Sequence, residues 1–599
     1  MRFEPNLRGH LVETRVAIVA ESGDTVTHVD YGVTPGPAEE VERSLSQPGD
    51  GVFSRDGSSF YLSAFGSGTV AVLDGDTGEV ETRIRVGGGP SGVVLHEAKR
   101  RLYVMNRFDN TLSTVDVDAE EVIAVTGVAG PARFDPTPGA IRRGRPLLYR
   151  ARSTSGHGDI ACATCHVFAD LDGLAWDLGD PQGEFVAYED ADWVEFAPQR
   201  GNRSGFDPMK GPMTTQTLRG LRGMEPFHWR GDRRDFQHFN GAFVTLMGRG
   251  EPLSDAEMDD FAEFIMTVEL PPNPYRNVDD TLPASIPVPD PDLDGALADG
   301  DPNLGAGIFV NGGRSPLRGP CTECHAFPAG TLGTLHSGRG RSQDFKIPHL
   351  RNLVEKLGYD QTRLGNGDGA LERKQGFGIL NDGVIPLGKQ LAAFSLERDE
   401  QLDMAAFLRA FSTGTPACVG HQITIDSDRR DDAEALATLA VLIGTARTGH
   451  CDVIAKGVIR GAPVGFVYDA DAAGFVPDAA RKAPLDGLDL VAALGPTDVL
   501  TWTAVPAGSG RRLGVDRDRD GCLDADERRH GTNPANPGLA LPAAPGNGRN
   551  TCTWDKFTAL RRALRGGLGG PEPVDPLCRP VHPPGGPPPL LCVDLAPDS

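Results

Sequence analysis

Two five-residue segments carry the chemistry of this chain, Cys162-Ala163-Thr164-Cys165-His166 and Cys321-Thr322-Glu323-Cys324-His325. Each reads C-x-x-C-H, the spacing at which a polypeptide takes up a c-type haem. Two thiols three positions apart reach the two vinyl groups on one edge of a porphyrin. The adjoining histidine then offers its imidazole to the iron from below. A redox-active Cys-x-x-Cys pair or half of a zinc site would use the same cysteines. Neither needs histidine in the next position, and neither explains it twice. The pattern predicts two haem c groups, with Cys162, Cys165, Cys321 and Cys324 as anchors and His166 and His325 as iron ligands.

A second constellation, Asp516-Arg517-Asp518-Arg519-Asp520-Gly521-Cys522-Leu523-Asp524-Ala525-Asp526-Glu527, has the spacing of an EF-hand-like calcium loop. Asp516, Asp518, Asp520, Asp524 and Glu527 would turn hard carboxylate oxygens toward one ion. Cys522 would add its backbone carbonyl, and Gly521 allows the sharp turn. No second loop accompanies it, so one structural calcium ion is expected rather than a signalling pair.

The segments around the two cysteine motifs repeat in the same order. After His166 come Leu218-Arg219-Gly220-Leu221, Pro226-Phe227-His228 and an amphipathic helix bearing Met258, Phe261, Ala262 and Ile265. After His325 come Leu350-Arg351-Asn352-Leu353, Leu380-Asn381-Asp382-Gly383 and a helix bearing Leu402, Ala405, Leu408 and Phe411. The order predicts a duplicated, mostly α cytochrome c domain, one copy over 131–285 and the other over 286–415. With Lys210-Gly211-Pro212-Met213-Thr214-Thr215-Gln216-Thr217 and Phe227-His228-Trp229-Arg230-Gly231-Asp232 included, residues 140–415 resemble the bacterial diheme cytochrome c peroxidase and methylamine-utilisation diheme enzyme superfamily. The match is to a branch that carries YVTN-type propellers.

That resemblance implies where the sixth ligands stand. Met247, in Leu246-Met247-Gly248, occupies the family's Met-Gly position and would give the first iron a thioether suited to electron transfer. His228 is its rival as a ligand, and is also the candidate catalytic acid or base. At the second haem the family's His-Asp-Gly reads Asn381-Asp382-Gly383, and asparagine is a poor iron ligand. His336, His349 and Met404 remain, although Met404 sits on a helical stripe with Leu408 and Phe411 that favours core packing. If none binds, the second iron has an open face and becomes the reactive centre. Trp176 and Trp229 are available as aromatics between the haems or as structural tryptophans. Arg219, Arg230, Lys346 and Arg351 are candidates for haem propionates or for ordinary ion pairs.

Upstream, residues 46–129 repeat at an offset of 41 or 42, for example Phe60-Tyr61-Leu62 with Leu102-Tyr103-Val104 and Val72-Leu73-Asp74 with Thr114-Val115-Asp116. Short β-rich runs broken by Gly, Asp and Asn predict four-stranded propeller blades, and the second unit resembles a YVTN-type repeat. Two clear units and a ragged third at Val16–Tyr31 fall short of closure, so residues 1–130 are expected to be an incomplete propeller, the tail of a longer one.

The 599-residue chain is thus expected to be multidomain, with an α+β region over 416–545 holding the calcium loop and a Pro/Gly-rich tail over 546–599. Its net charge of −24 excludes nucleic acid as a main partner, and no apolar run is long enough to cross a bilayer. Six further cysteines suggest disulfides in nearest-neighbour order, Cys418–Cys451, Cys522–Cys552 and Cys578–Cys592. Haem attachment and disulfides point to a periplasmic, extracellular or cell-surface location in a bacterium. Met1–His10 lacks a signal peptide, which is expected to reflect a truncated start. The leading expectation is one-electron transfer with redox partner proteins or small electron carriers. A peroxidase-like oxidoreductase taking hydrogen peroxide, and a propeller and calcium binding scaffold, are the alternatives.

Overall fold

A computed structural model describes residues 11–537, apart from 20–22, 24–25, 31–36, 129–134, 136, 182, 197–203, 291–296, 313–319, 337–342, 357–377, 386, 395 and 481. Contacts divide the chain into two compact units, Met1–Ala417 and Cys418–Ser599.

In the first unit, the alternation of apolar and polar residues folds into two antiparallel four-stranded meanders. One comprises Pro48–Phe53, Ser59–Ala64, Thr69–Asp74 and Val80–Arg85; the other Pro90–His96, Arg101–Asn106, Thr111–Asp116 and Glu121–Gly127. The repeat is visible in the turn chemistry. Asp74 Oδ1 accepts the N–H groups of Asp76 and Thr77, and Asp116 Oδ1 those of Asp118 and Ala119. Tyr61, Val70, Val72 and Ile84 of the first meander share one core with Val93, Leu102, Val104 and Val115 of the second, so the sheets stack as neighbouring blades. The ragged third repeat is a hairpin, Arg15–Val19 with Val26–Asp30, whose Val16 and Val29 cover the other face of the first blade.

The two segments expected to be mostly α are only partly so. Each has one pair of crossed helices, Gly139–Tyr149 with Asp255–Ile265 and Pro302–Asn311 with Arg398–Arg409. Between them run helical turns, loops and short ladders such as Ala175–Asp177 with Pro212–Thr214. Gly and Pro recur through these stretches and cannot sustain a helix. The long helices start on local signals: Ser254 and Glu257 form a capping box, and Asp301 caps a helix with Pro302 in its first turn.

Both crossings are built the same way. A Cβ on Gly144 would lie 2.0 Å from Asp260 O and 2.8 Å from Phe264 Cβ. On Gly305 it would lie 2.0 Å from Asp403 O and 2.8 Å from Phe407 Cβ. Glycine lets the helix backbones touch, and the aromatic one turn further on fills the flank. Met258, Phe261, Phe264 and Ile265 then bury in the first core, and Phe309, Leu402, Phe407 and Phe411 in the second.

The second unit is α+β. Its five-stranded antiparallel sheet runs in the order Gln422–Asp426, Val499–Pro506, Cys451–Ile459, Ala462–Asp469, Gly474–Pro477. Helix Ala433–Arg447, capped by Asp432, packs on it with Ala435, Leu439 and Leu442 buried. Cys418 and Cys451 form a disulfide. Cys522 is disulfide-bonded too, while its expected partner Cys552, with Cys578 and Cys592, lies outside the described residues. Among the described residues no helix is long and apolar enough to cross a membrane.

Candidate functional site

The first cysteine motif forms one helical turn, Cys162–Cys165, opened by the Ala161 N–H donating to Thr164 Oγ1. The second starts with the 3-10 turn Cys321–Glu323. A turn sets residues three apart on one side, so each pair presents both sulfurs together. All four cysteines are half-buried. Burial pushes Cys162 and Cys165 up to about 12, and raises Cys321 as well. A disulfide oxidoreductase instead needs an easily formed thiolate.

The histidines repeat the same geometry. His166 Nδ1 donates to Gln216 O at 2.8 Å, and His325 Nδ1 to Gly330 O at 2.8 Å. A carbonyl accepts only from N–H, so Nδ1 carries the proton and Nε2 keeps its lone pair in both. Burial lowers both pKa values and favours the neutral ring. A neutral imidazole tied at Nδ1 is the usual state of a metal-binding histidine. Thiols and imidazoles together fit a haem c at each motif.

Met247 is buried in the core that holds Ala163, Phe243 and Phe261, with Cys162 packed against it. Its carbonyl accepts the Gly156 N–H at 2.8 Å, which brings the Met247 loop beside the chain leading into the first motif. His228 adopts a left-handed φ of 69° and its Nδ1 donates to Asp232 Oδ1 at 3.0 Å. Burial pushes His228 down to about 4 despite that carboxylate. Burial alone would raise Asp232, but His228, Arg230 and Arg233 hold it well below its ordinary range. The ring is thus neutral with Nε2 unprotonated, able to act as a base or a ligand.

In the second half, His325 also meets the Pro348 backbone, the counterpart of Gln216 when the Leu-Arg pairs 218–219 and 350–351 are superposed in sequence. His349 follows Pro348 and corresponds in this alignment to Thr217 of the first half. It is half-buried, its Nδ1 is buried and accepts and donates nothing, and burial with nearby Lys356, Lys346 and Arg351 pushes it down to about 3. Met404 is buried in the core around Phe309 and Leu402. His336 lies on the two-residue ladder Leu335–His336 with Phe345–Lys346. Asn381 O accepts the Thr214 N–H at 2.6 Å, reaching across to the first half.

The four cations considered for propionates are engaged by the protein. Arg219 pairs with Asp170 at 2.8 Å and donates to Phe168 O; Arg230 binds Asp207 O and Asp232. Lys346 donates to Met224 O and Pro226 O, and Arg351 to Thr413 O and Gly220 O. Trp176 Nε1 donates to Asp172 and Trp229 Nε1 to Thr214 O, both at 2.8 Å. Sequence alone reveals neither most of these partners nor the helix-crossing glycines, because contacts such as Lys346 to Pro226 O and Arg351 to Gly220 O join residues far apart in the chain. A glycine at a similar distance before each motif, Gly144 before Cys162 and Gly305 before Cys321, is the sequence signal for the crossings.

In the second unit, Asp516, Asp518 and Asp520 bring ligand oxygens within 4.8 Å of one another. Gly521 supplies the turn with φ 90°. Glu527, in helix Asp524–His530, is fully buried (0% exposed). Burial and then the neighbouring aspartates push Glu527 up to about 8, and burial pushes Asp518 up to about 6. Asp524 is arranged differently. Its Oδ1 accepts the Arg517 N–H and its Oδ2 takes the Arg517 guanidinium.

No protein-family model matches the chain, and no curated protein is similar to it. Solved structures with partial likeness include a chain of Kuenenia stuttgartiensis hydrazine synthase, 25% identical over 14% of this chain and 24% of that one, TM-score 0.14. The present chain thus spans about a quarter of it. The same enzyme pressurised with 20 bar xenon aligns at 17% identity over 46% of this chain and 89% of that one, TM-score 0.29. The Myceliophteria thermophila Cps50 (Swd1) β-propeller domain aligns at 18% identity over 17% and 31%, TM-score 0.15. Scores this low assign neither fold nor function.

Proposed function

We propose that this chain is an exported diheme c-type cytochrome that moves electrons one at a time between redox partners. The observation that carries the reading is the pair of half-buried histidines, each following a Cys-x-x-Cys pair and each tied at Nδ1 to a backbone carbonyl. The matching glycine crossings support an internal duplication. A haem c at each motif would supply a one-electron iron couple. Cys162 with Cys165, and Cys321 with Cys324, would hold the two groups by thioethers. His166 and His325 would orient them through Nε2, the Gln216 and Gly330 carbonyls fixing the ring planes. Met247 would help hold the first group through its thioether, in the core that it shares with Phe243 and Phe261.

A second reading, peroxide reduction, is favoured by one feature. By the resemblance, Asn381 replaces the family's histidine ligand, and asparagine is a poor iron ligand. An unfilled sixth position at the second site would admit a small oxidant. The chain expressed in cells able to attach haem c tests both readings. Two added haem masses on the intact chain, removed one at a time by Cys162→Ala with Cys165→Ala and by Cys321→Ala with Cys324→Ala, are expected. A colourless chain of unmodified mass refutes the proposal. Carbon monoxide binding to the reduced protein separates the two readings: none for pure electron transfer, one equivalent for an open second site.

A further inference from the structure

The haem sites leave the acidic loop of the second unit unused. Its oxygens are distributed unevenly among partners. Asp516 gives Oδ2 to Arg511 at 2.8 Å, yet its Oδ1 accepts no hydrogen bond. Asp518 Oδ2 and Asp520 Oδ2 are likewise buried and unpartnered, while their Oδ1 atoms are used by the loop backbone. Both oxygens of the fully buried Glu527 are unpartnered. Buried carboxylate oxygens without donors are costly, and natural proteins tolerate them where an ion supplies the missing charge.

We infer that this loop binds one calcium ion through Asp516 Oδ1, Asp518 Oδ2, Asp520 Oδ2, the Cys522 carbonyl and both oxygens of Glu527, with Asp524 excluded. Six protein oxygens and one water give the seven-fold shell that calcium prefers and that magnesium, which demands six at shorter range, does not. The sequence pattern alone would have included Asp524. Its two oxygens are instead committed to Arg517, which makes it a clasp that closes the loop. Rotating Asp524 inward would strand that guanidinium, whereas the four ligands need break no bond.

The ion has a structural consequence. Asp516 follows the short helix Gly510–Gly514, and Glu527 sits in the helix Asp524–His530. That second helix is fastened to the sheet: the Ala525 N–H donates to Asp478 O, and the Ala480 N–H to Asp526 Oδ2. Calcium would tie the two helices together at the point where the disulfide-bonded Cys522 enters.

The test uses the full-length chain after chelation and desalting, titrated with calcium chloride against a chromophoric chelator. One ion per chain is expected, with calcium favoured over magnesium by at least about tenfold. Hydrogen exchange in peptides spanning 515–530 is expected to slow on adding calcium. Glu527→Gln is expected to weaken binding by about tenfold or more, and Asp524→Asn to cost clearly less. Failure of the wild-type chain to bind calcium at about 10 mM, well above the range of weak extracellular modules, overturns the site. An Asp524→Asn loss equal to that of Glu527→Gln overturns the ligand assignment. Should Glu527→Gln fail to fold, the wild-type exchange data decide: unchanged rates at saturating calcium also overturn the proposal.

Discussion

The helix crossing at Gly305 invites a sharp perturbation, because the same helix supplies its own control. In Gly305→Ala the new methyl would sit 2.0 Å from the Asp403 carbonyl oxygen, roughly 1.4 Å inside ordinary contact, and 2.8 Å from Phe407 Cβ. The obstacle is backbone of the facing helix, so no rotamer relieves it and the helices must part. Overpacking of this kind costs about 1–3 kcal/mol, and a rigid neighbour places it at the upper end. Alanine returns about 1 kcal/mol through better helix propensity, leaving a net loss of about 2 kcal/mol. Gly307 lies on the same helix, Pro302–Asn311, with nothing within 4 Å of its Cβ position. Gly307→Ala therefore keeps only the propensity gain, a stabilisation of about 0.5–1 kcal/mol. Urea melts of the two variants, followed by far-ultraviolet circular dichroism, should differ by about 3 kcal/mol, more than a hundredfold in the folding equilibrium. Equal stabilisation by both alanines would mean that the close crossing does not exist and that the duplicated domain reading has lost its structural support.

Other outcomes follow from the same contacts. Cys418→Ala with Cys451→Ala opens a bridge spanning 33 residues and should cost about 3–4 kcal/mol in the second unit, measured as a lower urea midpoint. In the calcium-free chain, Glu527 is raised from 4.5 to about 8. A carboxyl raised on folding favours the folded state below its unfolded value, and that advantage is lost as pH climbs through the folded one. Stability of the chelated second unit should therefore fall between about pH 4.5 and 8, while calcium affinity rises across the same window as the ion displaces the proton; a flat profile in both measurements contradicts the burial of Glu527. Met247→Ala should abolish the charge-transfer band of a thioether-ligated ferric haem at the first site and lower its potential. If His228→Ala does so and Met247→Ala does not, the distal assignment passes to His228.

How much was legible beforehand depended on how local the cause is. The blades announce themselves because each turn is made by an aspartate bonding its own backbone two and three residues on, as at Asp74 and Asp116. Cysteine pairs and calcium-loop aspartates are equally local patterns. The partly helical character of the middle segments was not legible, since motif order identifies a duplicated domain but not the share of it that glycine and proline keep in loops. Arg219, Arg230, Lys346 and Arg351 looked free for propionates because their acceptors are mostly backbone carbonyls, which every residue has and no pattern marks. Asp524 fits the loop spacing, and only its bonds to Arg517 set it apart.

One residue joins the two halves through its backbone. Thr214 gives its N–H to Asn381 O and its carbonyl to the Trp229 indole. A single peptide strand is thus pulled from both ends, by the loop that carries the displaced ligand position of one lobe and by an aromatic of the other. A shift of the Asn381 loop would pull on that strand and would be expected to tilt Trp229. Lys356, seated 4.8 Å over the same ring, would move with it. A change at one end of the pair would in this way reach the other through a single peptide.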